Sequence, residues 1–183
     1  MVGERSTDRN RVYCKEREGR MIRKIEFERF SLISSRPFDQ VVAALNAAIG
    51  HPDMAEFQRS THATRSVAEM ESVVLKALGK TGLMLFMALD QGAVVSKGTG
   101  RNTPGIVRLL IGNPLIMREM AKHVPDAGSY APVTILIDER SDGVYLSYDR
   151  MASFLAPYEN AEALKVARDL DAKVEALLAS AAA

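Results

Sequence analysis

The segment PVTILIDERSDGVYLSYD, residues 132–149, constrains the fold most, because it contains two strand-like runs joined by a short polar turn. PVTILIDE and VYLSYD are rich in β-branched, aromatic and aliphatic residues, which are typical of strands. The intervening Arg-Ser-Asp-Gly is a turn sequence. The sequence therefore predicts a β-hairpin, and a hairpin pairs its two strands antiparallel.

The start of the domain is predicted to be a strand followed by a helix. In IRKIEFERFSLIS, residues 22–34, Ile25 and Phe27 alternate with charged residues, and this period of two indicates a half-buried strand. RPFDQVVAALNAAIG, residues 36–50, has apolar residues at helical spacing, and Pro37 suits the first helical turn.

A second helix is predicted over SVAEMESVVLKALGKTG, residues 66–82. Ser66 and Glu69 form the pattern of a capping box, which marks the N-terminus of a helix. The side chains predicted to face the core are Val67, Met70, Val73, Val74 and Leu78. HPDMAEFQRSTHAT, residues 51–64, is predicted to be a connector with no more than one helical turn.

The middle of the chain is predicted to be rich in strands. LMLFMALD, residues 83–90, is a continuous apolar run between turn residues, which predicts a central strand buried on both faces. AVVSK, residues 93–97, is predicted to pair back on it, and IVRLLIG, residues 106–112, is the next strand. GTGRNTPG, residues 98–105, is predicted to be a loop and not a nucleotide-binding motif, because a strand follows its glycines where that motif requires a helix.

The triplet Gly112-Asn113-Pro114 predicts a switch from strand to helix. Gly112 lets the chain turn sharply, Asn113 suits the N-cap position, and Pro114 loses no hydrogen bond at the first helical position. A short helix over residues 114–123 should follow. ENAEALKVARDLDAKVEALLA, residues 159–179, has the apolar spacing of an amphipathic final helix.

The predicted elements follow the order β-α-α-β-β-β-α-β-β-α. Because hairpins dominate, we expect an α+β domain over residues 21–183, with a mostly antiparallel sheet and helices packed on one face. Residues 1–20 hold six Lys/Arg and four Asp/Glu and few apolar residues, so they are expected to form a disordered arm, with Met21 as an alternative start. An alternative role for this arm is to grip a polyanion, although its acidic residues interleave with the basic ones.

Two stretches, LLIGNPLIMREM and SYAPVTILIDERSDGVYLSYDRMASFL, resemble the DUF302 family, also called the TT1751-like fold. The matching features are a strand, Gly-Asn-Pro and a short helix, followed by a Pro-led strand with an acidic end and a hairpin ending in Tyr148-Asp149. The resemblance covers roughly residues 22–178. It implies a compact fold similar to the TATA-binding-protein-like arrangement, often assembled as homodimers, and it implies no settled activity or catalytic residues.

Charge and composition argue against several classes of partner. The net charge is +1, so no basic field indicates nucleic acid or an anionic membrane. The single Cys14 excludes an internal disulfide and a cysteine zinc site, and it suits a reducing compartment. No apolar run reaches the roughly 18 residues of a membrane span, and no secretory signal is visible. We therefore expect a cytoplasmic protein without nucleic-acid or membrane partners and without a cofactor.

Met117, Met120 and His123 stand at intervals of three, like a series of metal ligands. At about 100° per residue the three side chains spread over about 120° of the helix, so they cannot converge on one ion. We predict two core methionines and a histidine at the rim. A haem or metal site stays an alternative that would need a further ligand, such as His51 or His62.

A small group of polar and aromatic residues is expected to contact a ligand: Arg101, Asn113, His123, Tyr130 and Tyr148. The helix that Asn113 begins offers free N–H groups to an anion, above all if Arg101 or Arg108 points there. No catalytic constellation stands out, so we expect a non-enzymatic module that binds a small anionic or apolar ligand or a protein, and that forms a homodimer. The alternative is a small enzyme acting on an anionic substrate, with His123 as general base.

Overall fold

The computed structural model describes residues 23–99 and 104–183, which contain five strands and seven α-helices. The strands are β1 (Arg29–Ser34), β2 (Met84–Asp90), β3 (Ile106–Gly112), β4 (Val133–Arg140) and β5 (Gly143–Asp149). The helices are α1 (Phe38–Ala48), α2 (Met54–Ala63), α3 (Val67–Ala77), α4 (Gln91–Thr99), α5 (Pro114–Ala121), α6 (Met151–Leu155) and α7 (Ala161–Ala182). The predicted arm and Arg101 lie outside the described residues.

The five strands form one antiparallel sheet in the order β1-β5-β4-β3-β2. The predicted hairpin is confirmed, because β4 and β5 pair from Ile135 opposite Tyr148 to Arg140 opposite Gly143. Gly143 has a φ of 149°, which residues with a side chain rarely adopt, so the turn requires glycine at this position. The α+β class with an antiparallel sheet is therefore confirmed.

One face of the sheet is covered by α1, α5 and α7, and α6 packs on α7 beside it. The final helix α7 lies against β1 and β5 and also contacts the other three helices. Alternate residues of the central strands are buried in the core beneath these helices: Leu109, Ile111, Val133, Ile135, Ile137, Val144, Leu146 and Tyr148. Burial of this one face supplies the main apolar driving force for the fold.

Side-chain caps decide where two of the predicted helices begin. The Oδ1 atom of Asn113 accepts a hydrogen bond from the Leu115 N–H at 2.8 Å, which confirms the predicted switch from β3 into α5. The hydroxyl of Ser66 accepts from the Glu69 N–H at 3.2 Å, as the capping pattern predicts for α3. Both helices therefore begin where local residues satisfy the first free N–H groups.

The prediction of a connector over residues 51–64 is wrong, because ten of these residues form α2. Asp53 caps this helix, since its Oδ1 atom accepts from the Glu56 N–H at 2.8 Å. No residue of α2 is fully buried, which explains the weak apolar pattern. Val67 was also predicted to face the core but is 64% exposed, because α3 packs mainly on α2 and α5 and not on the sheet.

The prediction that β2 is a central strand buried on both faces is also wrong. β2 lies at the edge of the sheet, and Met87 on it is 51% exposed. An apolar run indicates a strand, but its periodicity does not say which neighbours cover it. The predicted strand AVVSK is part of α4, because the Asp90 Oδ1 atom accepts from the Ala93 N–H at 2.9 Å and starts a helix there.

The first strand begins later than the alternation of Ile25 and Phe27 predicts. β1 starts at Arg29, and residues 23–28 do not join the sheet. Two backbone groups of this segment bond to the region of α6 instead: the Glu28 carbonyl accepts from the Arg150 N–H at 2.9 Å, and the Glu28 N–H donates to a serine hydroxyl at 3.0 Å. The segment therefore runs along α6 before it enters the sheet.

Two glycines allow the ends of α1 and α3 to meet at the start of β2. A Cβ atom on Gly50 would lie 1.9 Å from the Ala77 carbonyl oxygen, and one on Gly79 would lie 2.3 Å from the Ile49 carbonyl carbon. The N–H groups of both glycines donate to the Leu83 carbonyl at 2.9 Å. The three segments approach each other too closely for any side chain at either glycine.

We expect Gly50→Ala to lower the free energy of unfolding by at least about 2 kcal/mol, because the added methyl group would collide with backbone atoms. Gly128→Ala is the matched control, since nothing lies within 4 Å of a Cβ atom at that position. Urea unfolding measures both variants. If the two variants have equal urea midpoints, the backbone around Gly50 accommodates the methyl group without loss of stability.

Candidate functional site

The face of the sheet opposite α1, α5 and α7 carries a groove of about 600 Å³. Its floor consists of strand residues that alternate with the buried core residues: Arg108, Leu110, Thr134, Leu136 and Ser147. Its walls include Tyr130 and Pro132 before β4 and Phe154 on α6. The groove therefore occupies the strand positions that the period of two leaves outside the core.

Two arginines line this groove and differ in their partners. The Nε and Nη2 atoms of Arg29 donate to the two carboxylate oxygens of Asp149 at 2.6 and 2.8 Å, and this bond raises the pKa of Arg29. The Nη2 atom of Arg108 donates to the Thr134 hydroxyl at 3.2 Å. Its buried Nε atom has no hydrogen-bond partner among the described residues, and within the same residues no carboxylate oxygen lies within 4.0 Å of the Arg108 guanidinium.

One wall of the groove is built from stacked aromatic rings. Phe154 stacks on Tyr130 with ring centroids 4.9 Å apart and 10° between their planes, and on Phe27 at 5.5 Å. The hydroxyl groups of Tyr130 and Tyr158 lie 3.1 Å apart. The pKa of Tyr130 is raised to about 12, mainly by burial and next by the hydrogen bond with Tyr158. This phenol is therefore uncharged near neutral pH. The wall is thus apolar and neutral.

A buried carboxylate on α7 holds this wall in place. Asp171 is 1% exposed and accepts from the Tyr148 hydroxyl at 2.6 Å, the Met151 N–H at 2.7 Å and the Ala152 N–H at 3.0 Å. Two of these donors are first-turn N–H groups of α6, which a capping side chain would otherwise satisfy. Burial, with Asp171 close by, raises the pKa of Tyr148, so its hydroxyl keeps the proton that it donates.

The residues expected to contact a ligand are dispersed over the molecule. Tyr130 lines the groove. Asn113 uses its amide locally, with Oδ1 capping α5 and Nδ2 donating to a backbone carbonyl at 3.0 Å. His123 is exposed and is not part of the groove lining. Tyr148 is 1% exposed on the helix-covered face, and Arg101 lies outside the described residues.

The ligand contacts expected from the sequence did not include Thr134 or Phe154. Arg108 was considered only as a side chain that could bind an anion together with the N-terminus of α5. A signal for Arg108 exists in the sequence, because a charged residue in the middle of the apolar strand IVRLLIG must avoid the core face. Thr134 has the same kind of signal, since it alternates with the apolar residues of VTILI. No comparable signal marks Phe154, which depends on the position of α6.

The prediction of two core methionines and a rim histidine is confirmed for Met120 and His123 but not for Met117, which is only partly buried and is not part of the core. Met120 is fully buried in the core, whereas His123 is exposed. Among residues 23–99 and 104–183, no group of three His, Cys, Asp or Glu side chains is arranged to hold a metal ion. Within the same ranges, no helix is both long enough and apolar enough to cross a membrane.

The sequence model of DUF302, described as a domain of unknown function, matches residues 57–181. This chain belongs to the DUF302 family. Its structure is similar to the crystal structure of an uncharacterized conserved DUF302 protein from Bacillus stearothermophilus, with a TM-score of 0.58, 9% identity, and coverage of 84% of this chain and 97% of that one. At this identity the similarity shows the DUF302 fold alone. No curated protein matches the chain.

In this DUF302 domain, Asp171→Ala is expected to lower the free energy of unfolding by roughly 3 kcal/mol, because three buried donors lose a charged acceptor. Asp169→Ala, at an exposed position of the same helix, is the control and should change the free energy of unfolding by no more than about 0.5 kcal/mol. Denaturant unfolding followed by circular dichroism measures both. If Asp171→Ala lowers the free energy of unfolding as little as the control does, the Asp171 carboxylate does not anchor α6.

Proposed function

We propose that this protein is a non-enzymatic, cytoplasmic ligand-binding module that holds a small molecule with an anionic group in the groove on the open face of the sheet. The observation that carries the proposal is Arg108: its Nη2 donates to Thr134, but its buried Nε has no partner among the described residues. A shielded donor without a partner is costly, and a bound anion would offset that cost. The single cysteine supports a reducing compartment.

The size and lining of the groove support a small organic ligand. Its volume of about 600 Å³ falls within the range of roughly 300–1,000 Å³ that is usual for such sites. Leu110 and Leu136 supply apolar surface, while Thr134 and Ser147 place hydroxyl groups beside it. A mostly apolar site with a few fixed polar groups binds by burial and orients its ligand by hydrogen bonds.

The groove lining favours binding over acid–base catalysis. The described lining contains no histidine or cysteine, and its carboxylate, Asp149, is held in the bidentate pair with Arg29. A serine hydroxyl without a base beside it is a weak nucleophile. The alternative of an enzyme with His123 as general base would place that base on an exposed surface outside the groove lining.

Arg108→Met is expected to weaken binding of the anionic fluorophore anilinonaphthalene sulfonate by about tenfold or more, because the charge-assisted hydrogen bonds to its sulfonate are lost while apolar surface remains. Fluorescence titration measures the dissociation constant. Arg168→Met is the matched control, since Arg168 is exposed on α7. Unchanged binding in Arg108→Met, or equal weakening in both variants, would contradict the proposed site.

We further propose that the protein self-associates through the exposed edge of the sheet. The start of β2 is already paired with Gly50, whose carbonyl accepts from the Leu85 N–H at 2.8 Å, but from Phe86 to Leu89 the strand carries no charged residue. Met87 on β2 is 51% exposed, and Val94 on the adjoining α4 is 70% exposed. Edge strands of monomeric proteins usually carry charges or prolines that block pairing with another chain. A second copy pairing along β2 would cover this apolar edge.

The double substitution Met87→Lys and Leu89→Lys is expected to convert a dimer into a monomer, because two desolvated charges would lie in the paired edge. Light scattering after size exclusion measures the mass of each variant. Leu75→Lys is the control, since it places a lysine at another exposed apolar position, on α3. A monomeric unaltered protein, or a double variant that remains dimeric, would refute pairing through β2.

A further inference from the structure

We propose that the groove selects a ligand in which a flat aromatic ring is joined to a single carboxylate. This inference rests on the proposed function, since it names the chemical class that the same groove would take. Three observations carry it: the net charge of the groove lining, the donors around Arg108, and the stacked rings of the wall.

The charge of the groove lining matches a monoanion. The lining contains two cations, Arg29 and Arg108, and one anion, Asp149, so its net charge is 2 − 1 = +1. Because Arg29 and Asp149 are bound to each other, the uncompensated positive charge is at Arg108. One negative charge neutralises it. A phosphate monoester, close to doubly charged near neutral pH, would add a second negative charge in the groove that contains Asp149.

The donors at Arg108 suit the geometry of a carboxylate. The Nε and Nη2 atoms lie along one edge of the planar guanidinium, and this edge can bind two carboxylate oxygens at once. Arg29 binds Asp149 in that way. In Arg108 the Nε hydrogen has no acceptor among the described residues, and the Thr134 hydroxyl already accepts from Nη2. The Thr134 hydroxyl hydrogen can therefore be donated to the same ligand oxygens.

The wall of the groove suits an aromatic ring. Tyr130 and Phe154 both line the groove, and their ring planes differ by 10°. A flat ring can extend this stack with an offset, which favours it over a saturated ring of equal size. Because the pKa of Tyr130 is raised to about 12, the wall adds no charge near neutral pH. The ring half of the ligand therefore meets neutral ring surface while its carboxylate meets Arg108.

Four matched probes test this class by isothermal titration calorimetry: naphthoate, naphthyl phosphate, naphthalenemethanol and decalin carboxylate. At about pH 8 the phosphate is a dianion. Naphthoate is expected to bind at least about tenfold more tightly than the phosphate and the neutral alcohol, because only it meets the charge and donors of Arg108 without excess negative charge. It should also bind several-fold more tightly than the saturated acid, because only the aromatic ring stacks.

Three substitutions sharpen the comparison. Asp149→Asn changes the charge of the lining to +2, so it should strengthen binding of naphthyl phosphate more than binding of naphthoate, by about fivefold. Because Phe154 is already stacked between Phe27 and Tyr130, the ring that a ligand can extend is Tyr130, and Tyr130→Leu should abolish the preference for naphthoate over decalin carboxylate. Arg108→Gln should remove the preference for naphthoate over naphthalenemethanol.

The outcomes separate this inference from the proposed function. If naphthyl phosphate binds as tightly as naphthoate and Arg108→Gln weakens both, the carboxylate assignment is wrong, but anion binding in the groove still holds. If decalin carboxylate binds as tightly as naphthoate, the aromatic assignment is wrong, and anion binding in the groove again still holds. If neither anion binds in a manner that depends on Arg108, the proposed function fails and this inference fails with it.

Discussion

Antiparallel pairing of β3, β4 and β5 beneath α7 is the constraint on which the groove depends. Register fixes which side chains share a face, and burial under the helices fixes which face turns inward. Ile135 and Tyr148 are paired on the buried side, so Thr134 and Ser147 must lie on the open side. A slip of one residue would exchange the two sets. The chemistry of the open face is therefore set by the apolar packing of the opposite one.

Asp171 connects the helix layer to the groove. A buried carboxylate is tolerated only where donors compensate its charge, and here a tyrosine hydroxyl and two backbone N–H groups do so. Because those N–H groups begin α6, the carboxylate fixes the position at which that helix leaves β5. Phe154 lies on the same short helix and forms part of the aromatic wall. The orientation of the wall thus depends on a residue of α7 buried in the core.

The parts of the fold that the sequence predicted are those decided by neighbouring residues. Asn113 caps α5 with its own side chain, and the β4–β5 turn needs only its local glycine. The edge position of β2 was not predictable, because its coverage depends on elements distant along the chain. The residues of the groove also divide into those indicated by the local sequence and those that depend on distant elements. Tyr130 was predicted as a ligand contact from its residue type, whereas the stack with Phe154 requires β4, β5 and α6 to be in place.

The difference between the two groove arginines follows from register alone. Arg29 lies opposite Asp149 and is neutralised, whereas Arg108 lies between Leu136 on β4 and Leu89 on β2. Apolar neighbours lower the local dielectric constant, which raises both the cost of an isolated charge and the strength of its attraction to an anion. For fold stability alone, an apolar residue at position 108 would serve as well, since it would pack between the two leucines. This combination of cost and attraction is the physical reason why the proposed function places the anion beside Arg108 and not beside Arg29.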